Sequence, residues 1–222
     1  MLHLRRLSYI FLLLHCLSHV YAQDNVTLLF AGDAMQHTPQ HRAAWVASAN
    51  TYDYAPCFRY LQPYLQYADI AVANLEVPLA GPPYTGYPRF SAPSQWGIAL
   101  HNAGFDILTI ANNHVLDKGE NGLKATINIL NDNNIRYLGA YSDTLQRHEN
   151  YPLIIRCRGV SIAILNFTYG TNGIKATPPC FINRDDTVQL ATDIDNAIQQ
   201  GADVIIALPH WGTEYQLHSS IH

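Results

Sequence analysis

Four apolar runs punctuate this chain, and each gives way abruptly to a polar residue with chemistry to offer. Val26 to Ala31 runs into Gly32 and Asp33; Asp69 to Ala73 delivers Asn74, Leu75 and Glu76. Phe105 to Ala111 ends in Asn112, Asn113 and His114, and Ala202 to Leu208 ends in Pro209 and His210. The runs are nearly continuous and rich in β-branched residues, as expected of parallel strands covered on both faces rather than strands that alternate towards water. Pro78 stops pairing beyond the second run and holds Glu76 at its terminus.

Between these strands the period changes. Phe58, Leu61, Tyr64 and Leu65 fall on one face of a helix predicted from about Cys57 to Tyr67, and Ser94 is placed to cap a short helix through Asn102. Asp117 and Glu120, three apart ahead of the run after Gly122, form a capping-box pattern for a helix ending near Asn134. Thr187 to Gln200 reads as a further helix. Arg136 to Gly139 reads as a short strand, and Pro152 to Cys157 with Val160 to Phe167 as a hairpin around Arg158 and Gly159. The irregular loop 79–93 is long for a compact domain, which favours a functional role, and the stretch from Thr168 through Pro179 makes a second irregular loop. The order is that of an α/β fold, in which right-handed crossovers bring the four strand ends to one rim of a sheet, where open α/β folds bind ligands.

The first 22 residues change the picture of the compartment. Arg5 and Arg6, an apolar run from Leu7 to Leu17 and a small-residue end at Ala22 have the layout of a secretory signal peptide, too short to span a bilayer comfortably. Cleavage after Ala22 leaves 11 basic against 17 acidic side chains, a net charge of −6, in an exported domain of residues 23–222. Such a charge without a Lys/Arg cluster excludes nucleic acid as a natural partner, and contact with a membrane is expected only through export or a partner. Cys57, Cys157 and Cys180 remain; they are no disulfide framework and no CxxC zinc site, although one pair could oxidise in an exported compartment. The sequons at Asn25 and Asn166 are read as chance.

Carboxylate, amide oxygen and imidazole at one rim suit a borderline divalent ion such as Mn, Zn or Fe better than Mg or Ca, which take oxygen shells. Taken singly, Asn112 and Asn113 read as turn formers, His114 as a surface histidine and Asp117 as an N-cap. The fourfold recurrence of the pattern favours the metal-site reading.

The ordered set Gly32-Asp33, Asn74-Leu75-Glu76-Val77-Pro78, Ala111-Asn112-Asn113-His114 with Asp117 and Gly119, and His210-Trp211-Gly212 with Glu214-Tyr215 resembles the CapA family of bacterial capsule and poly-γ-glutamate synthesis, from about Val26 to Tyr215. The resemblance implies a layered α/β sandwich of the calcineurin-like metallophosphoesterase type. It also implies Asp33, Glu76, Asn113 and His210 as metal ligands for one or two divalent transition-metal ions, His114 as general acid or transition-state donor, and Asp117 as the residue that orients it. Two departures stand out. Metallophosphoesterases carry DxH at the first strand, whereas Ala34, Met35 and Gln36 follow Asp33 here and the next histidine is His37. The family also continues to a histidine-bearing G-H-x-P-H type turn, while this sequence stops at His222, so the domain is expected to be C-terminally incomplete and its last strand uncovered. The function implied is an exported metal-dependent hydrolase or transferase acting on an anionic cell-envelope polymer, at an amide or a phosphoester; the alternative is a non-catalytic subunit that binds the polymer or its synthase complex around a vestigial metal site. An acidic domain meeting a polyanion needs a bridging cation or a loop arginine such as Arg89.

Overall fold

The computed structural model describes residues 25–216 and 218; the leader predicted over residues 1–22 and His222 lie outside the described residues. Two sheets stacked face to face carry the fold. The first has the order β1 (Leu28–Asp33), β4 (Ile70–Asn74), β5 (Ile107–Thr109), β6 (Arg136–Leu138), all parallel. The second has the order β11 (Val204–His210), β9 (Val160–Thr168), β8 (Leu153–Cys157), with β11 parallel and β8 antiparallel to β9. Two small antiparallel pairs complete the set, β2 (Trp45–Val46) with β3 (Thr51–Tyr52), and β7 (Ala140–Tyr141) with β10 (Phe181–Ile182).

Strand alternation explains the layering. Ile70 and Val72 of β4 and Ile107 of β5 point to one side, where they meet Leu138, Ile155, Ile162 and Ile164 in the core between the sheets. Ala71, Ala73 and Leu108 point to the other side, where Trp96, Leu100, Leu123, Ile127 and Leu130 cover them from α4 (Ser94–Ala103) and α5 (Gly119–Asp132). For β4 and β5 the reading of an apolar run as a strand buried on both faces is correct; it is corrected for β1 and β11, which are edge strands with Phe30 and Val204 open to solvent. The expectation of a single rim of one sheet is corrected. The fourth strand, β11, belongs to the second sheet and forms its edge, because its ladder partner is β9.

Three local expectations also change. The helix predicted over 57–67 is broken into α2 (Ala55–Phe58) and α3 (Gln62–Tyr67), since Pro63 has no N–H to continue the first segment and takes up the start of the second. Phe58 and Leu65 are buried, but Tyr64 is 67% exposed and Leu61 also reaches solvent. Ser94 does not cap α4, whose N-cap is Pro93 without a side-chain bond. Asp117 and Glu120 form no capping box on α5, whose N-cap is Lys118; both carboxylates are committed elsewhere. The helix α7 (Thr187–Gln199) is capped instead by Asp186, which accepts from the backbone N–H groups of Val188 and Gln189. It is tied to α6 (Thr144–Asn150) by an ion pair in which Arg147 Nη2 donates to both carboxylate oxygens of Asp193, at 2.7 and 2.8 Å.

Asn166 on β9 fastens the two sheets at their carboxyl ends. Its Oδ1 accepts from the N–H of Ala111 at 2.8 Å, and its Nδ2 donates to the carbonyl of Leu208 at 2.9 Å. Gly139 makes that approach possible: at φ +114° a Cβ would lie 2.1 Å from Asn166 Oδ1 and 2.6 Å from Ala111 N. With its amide so engaged and the residue 2% exposed, Asn166 cannot accept a glycan in the folded chain, in keeping with the reading of its sequon as chance. Cys57, Cys157 and Cys180 are all free thiols. No described helix is long and apolar enough to cross a membrane.

Candidate metal centre

The seam that Asn166 fastens opens into a cavity of about 450 Å³, lined among others by Asp33, Glu76, Asn113, Tyr169 and His210. Asp33 ends β1, Glu76 follows β4, Asn113 and His114 follow β5, and His210 ends β11. The four ligand candidates Asp33, Glu76, Asn113 and His210 all line it, although the contributing strands lie in two sheets. Candidate ligand atoms of Asp33, Glu76 and His210 all lie within 4.8 Å of one another. His210 Nε2 donates to Asn113 Oδ1 at 2.9 Å and stands 3.7 Å from Glu76 Oε1. His210 Nδ1 lies 3.8 Å from Asp33 Oδ1 and accepts from Asn74 Nδ2 at 3.2 Å.

The electrostatics point the same way. Glu76 is buried and its Oε2 has no hydrogen-bond partner. Burial first, and then the Asp33 carboxylate, push its pKa from the ordinary carboxylate range up to about 8. Burial also pushes the pKa of His210 down, which leaves a neutral imidazole, the form that ligates metals. A buried acid with an orphaned oxygen, next to a second carboxylate and a neutral histidine, fits a divalent cation: positive charge there would offset both the desolvation and the repulsion.

His114 stands behind this group. Its Nδ1 donates to Asp117 Oδ2 at 2.8 Å, which leaves Nε2 facing the cavity, 4.0 Å from Glu76 Oε1. The same Asp117 oxygen accepts from the N–H of Phe90 at 2.8 Å, and the Phe90 ring lies edge-on to the His114 ring at 4.7 Å. Asp117 thus holds the imidazole instead of capping a helix. Glu120, its supposed partner, accepts from the N–H and hydroxyl of Thr177 and anchors the second irregular loop.

Three contributors escaped the sequence reading. Asn74 donates to Asp33 Oδ1 at 2.8 Å and accepts from Asn112 Nδ2 at 3.1 Å, a carboxamide bridge that fixes Asp33 against the β5 turn. Its place in the run Asn74-Leu75-Glu76 was the available signal. Asn172, in the second loop with φ +48°, accepts from Asn113 Nδ2 at 3.3 Å and so turns the Asn113 oxygen towards His210. Tyr169 lays its ring nearly parallel to that of His210 at 6.2 Å. Nothing in the loop's composition marked either residue. His37 is not in the ligand cluster; it precedes α1 (Thr38–Ala44) and packs edge-on against Phe90.

The profile of the bacterial capsule synthesis protein family PGA_cap matches residues 27–220. The chain belongs to this family. Among characterised relatives, PGA_cap similarity is seen to the capsule biosynthesis protein CapA of Bacillus anthracis, 27% identical over 205 residues, which cover 86% of this chain and 48% of that protein. The PGA biosynthesis protein CapA of Bacillus subtilis is 24% identical over 210 residues, covering 88% of this chain and 51% of that one. The chain therefore spans about half the length of the curated relatives it matches. Among solved structures, the NAD nucleotidase NadN of Haemophilus influenzae superposes with a TM-score of 0.54 at 16% identity, over 85% of this chain and 34% of that one. A candidate 5′-nucleotidase from Staphylococcus aureus superposes with a TM-score of 0.52 at 13% identity, over 87% and 39%. At these identities the likeness shows the fold alone: this PGA_cap chain has the calcineurin-like metallophosphoesterase fold.

Proposed function

We propose that this PGA_cap chain is an exported, metal-dependent hydrolase or transferase domain that acts on an anionic cell-envelope polymer. The observation that carries this reading is the convergence of Asp33, Glu76, Asn113 and His210 on one cavity, with His114 held behind them by Asp117. A divalent transition metal held by Asp33, Glu76 and His210, with the Asn113 oxygen beside them, would supply Lewis-acid polarisation of a phosphoryl or carbonyl oxygen. The protein's own groups account for the rest. Asp117 fixes one proton of His114 at Nδ1, so that Nε2 faces the substrate and can pass a proton to a leaving group. Asn172 and Asn74 set the orientation of Asn113 and Asp33, and Tyr169 walls the cavity beside His210.

The departures at the first strand support a second reading, an accessory subunit that binds the polymer or its synthase complex. Gln36 there is buried with an unpartnered Oε1 and brings no imidazole to the ligand cluster, which favours a single ion held by few protein donors.

Elemental analysis after equilibrium dialysis against Mn, Zn and Fe tests the first reading. The chain is expected to bind a transition metal weakly, and Asp33→Ala to abolish the binding. In a full-length relative, the change equivalent to His114→Ala should retain metal while turnover of an aryl phosphodiester or a γ-glutamyl anilide falls about 100-fold or more. Intact turnover in that variant would refute the acid role. Metal retained in the unmodified relative without turnover of either substrate would establish the accessory reading.

A further inference from the structure

The Tyr-rich stretch from Trp45 to Tyr54 and Tyr84 in loop 79–93 contribute no ligand to the metal centre. They build a second cavity, of about 430 Å³, between α1, the β2–β3 hairpin and loop 79–93, lined by Thr38, His41, Arg42, Trp45, Tyr52 and Tyr84. The aromatic rings cross instead of stacking: Trp45 meets Tyr52 at 5.0 Å and 61°, and Tyr52 meets Tyr84 at 5.4 Å and 90°. Gly86 lets the loop backbone lie directly on α1, since a Cβ would come within 2.9 Å of the Thr38 nitrogen, and this close seat fixes the wall that Tyr84 forms. His41 is buried, yet its Nε2 has no partner among the described residues. Burial, and then the neighbouring His37, lower its pKa, so it is a neutral imidazole able to donate or accept. Arg42 is exposed at the lining, Trp45 is 42% exposed, and the lining contains no carboxylate. The cavity is separated from the metal centre by a row of packed rings: Thr38 follows His37, whose ring abuts Phe90, which abuts His114.

We propose that this cavity is a subsite for an acidic pyranose unit of a polysaccharide, its apolar ring face against Trp45, Tyr52 and Tyr84 and its carboxylate on Arg42. The volume is in the usual range for a small-ligand site, and mostly aromatic walls with a few polar groups are the usual lining of one. Crossed aromatic rings make a concave wall that suits a puckered ring, whereas a nucleobase calls for parallel planes. The guanidinium selects a carboxylate and disfavours a cationic ligand. A γ-glutamyl chain would satisfy Arg42 but has no rigid apolar face for the three rings. This inference goes beyond the function proposed above, since it concerns a ligand held in a separate cavity and assigns nothing to the bond acted on at the metal centre, and it rests on that reading only for the polymer's place in the envelope.

Isothermal titration calorimetry on the whole chain tests it, with a glucuronate-containing hyaluronan tetrasaccharide, neutral cellotetraose and tetra-γ-glutamate as probes. The acidic tetrasaccharide is expected to bind most tightly. Trp45→Ala should weaken it at least tenfold, and Arg42→Gln should weaken it without changing the affinity for cellotetraose. Tyr84→Leu, with its fold checked by circular dichroism, provides a second wall variant with the same expectation. Asp33→Ala should lose metal and keep saccharide affinity, so failure of the metal reading leaves this one standing. Absent saccharide binding, tighter binding of tetra-γ-glutamate, or affinity indifferent to Trp45→Ala and Tyr84→Leu would overturn the subsite, and normal metal uptake in the same protein would leave the metal reading in place.

Discussion

Glu76 combines burial, an orphaned oxygen and a neighbouring carboxylate, and its titration makes the metal site measurable without any turnover. In the metal-free folded chain it stays protonated up to about pH 8, while in the unfolded chain it ionises near the ordinary 4.5. Between those values the folded state holds the extra proton, so Glu76 makes stability fall as pH rises through that window. Urea unfolding from pH 5 to 8.5 should show this decline, and Glu76→Gln should flatten it. Metal binding at pH 7 should release about one proton, because the ligand must be ionised. Calorimetry in buffers of different ionisation enthalpy should show the release, and buffer-independent heats would contradict the assignment of Glu76. At this scale the sequence revealed residue types but not their partnerships. Asp117 stands three residues from both His114 and Glu120, a spacing that serves a histidine clamp and a capping box equally well, and only the three-dimensional path of Phe90 decides between them. Asn172 was illegible for a simpler reason: its role depends on where a long loop lands, which no local pattern encodes.

The strands were the most legible elements because a continuous apolar run has few other uses in a chain of this length. The partner of each strand was not legible. A run buried on both faces reads the same in either sheet, and the ladder to β9 that places β11 in the second one joins segments far apart in the chain. Pro63 offered a warning that the 3.6-residue periodicity of 57–67 outweighed in the reading. The sheet-to-sheet fastening at Asn166 depends on a glycine with no room for a methyl group. Gly139→Ala should therefore destabilise the fold by about 3 kcal/mol or more, combining a left-handed backbone with a clash against Asn166 and Ala111. The shift in urea midpoint is the readout; a loss below about 1 kcal/mol would show that the seam can part without cost. Asn166→Ala should cost a similar amount, since it leaves Ala111 N and Leu208 O unpaired beneath the site.

Seen whole, the sandwich is closed by helices on one side and open on another. Both outer strands next to the metal centre are thinly covered: Phe30 on β1 is 44% exposed and Val204 on β11 is 45% exposed, and Trp211 just beyond is more so. Between these two edges a groove of about 200 Å³ runs from Phe30 to Pro209 and His210. The chain is expected to bind an apolar fluorescent dye and to self-associate, each uncovered apolar Å² costing about 25 cal/mol. Fusing the segment that follows the matched region in a relative should reduce both, whereas a dye-negative monomer with a high, sharp melt would show that these edges are satisfied as they stand. The centre also draws Asp33 and Glu76 from one sheet and His210 from the other. An ion shared between them would act as a clasp across the two layers, and its binding energy would become docking energy for β11. Since β11 follows the strands of the first sheet in the sequence, the clasp can close only after residues 28–210 have been made. The metal in the finished protein would then be set by the ions available in the compartment where β11 docks, whatever ions the ribosome's surroundings contain.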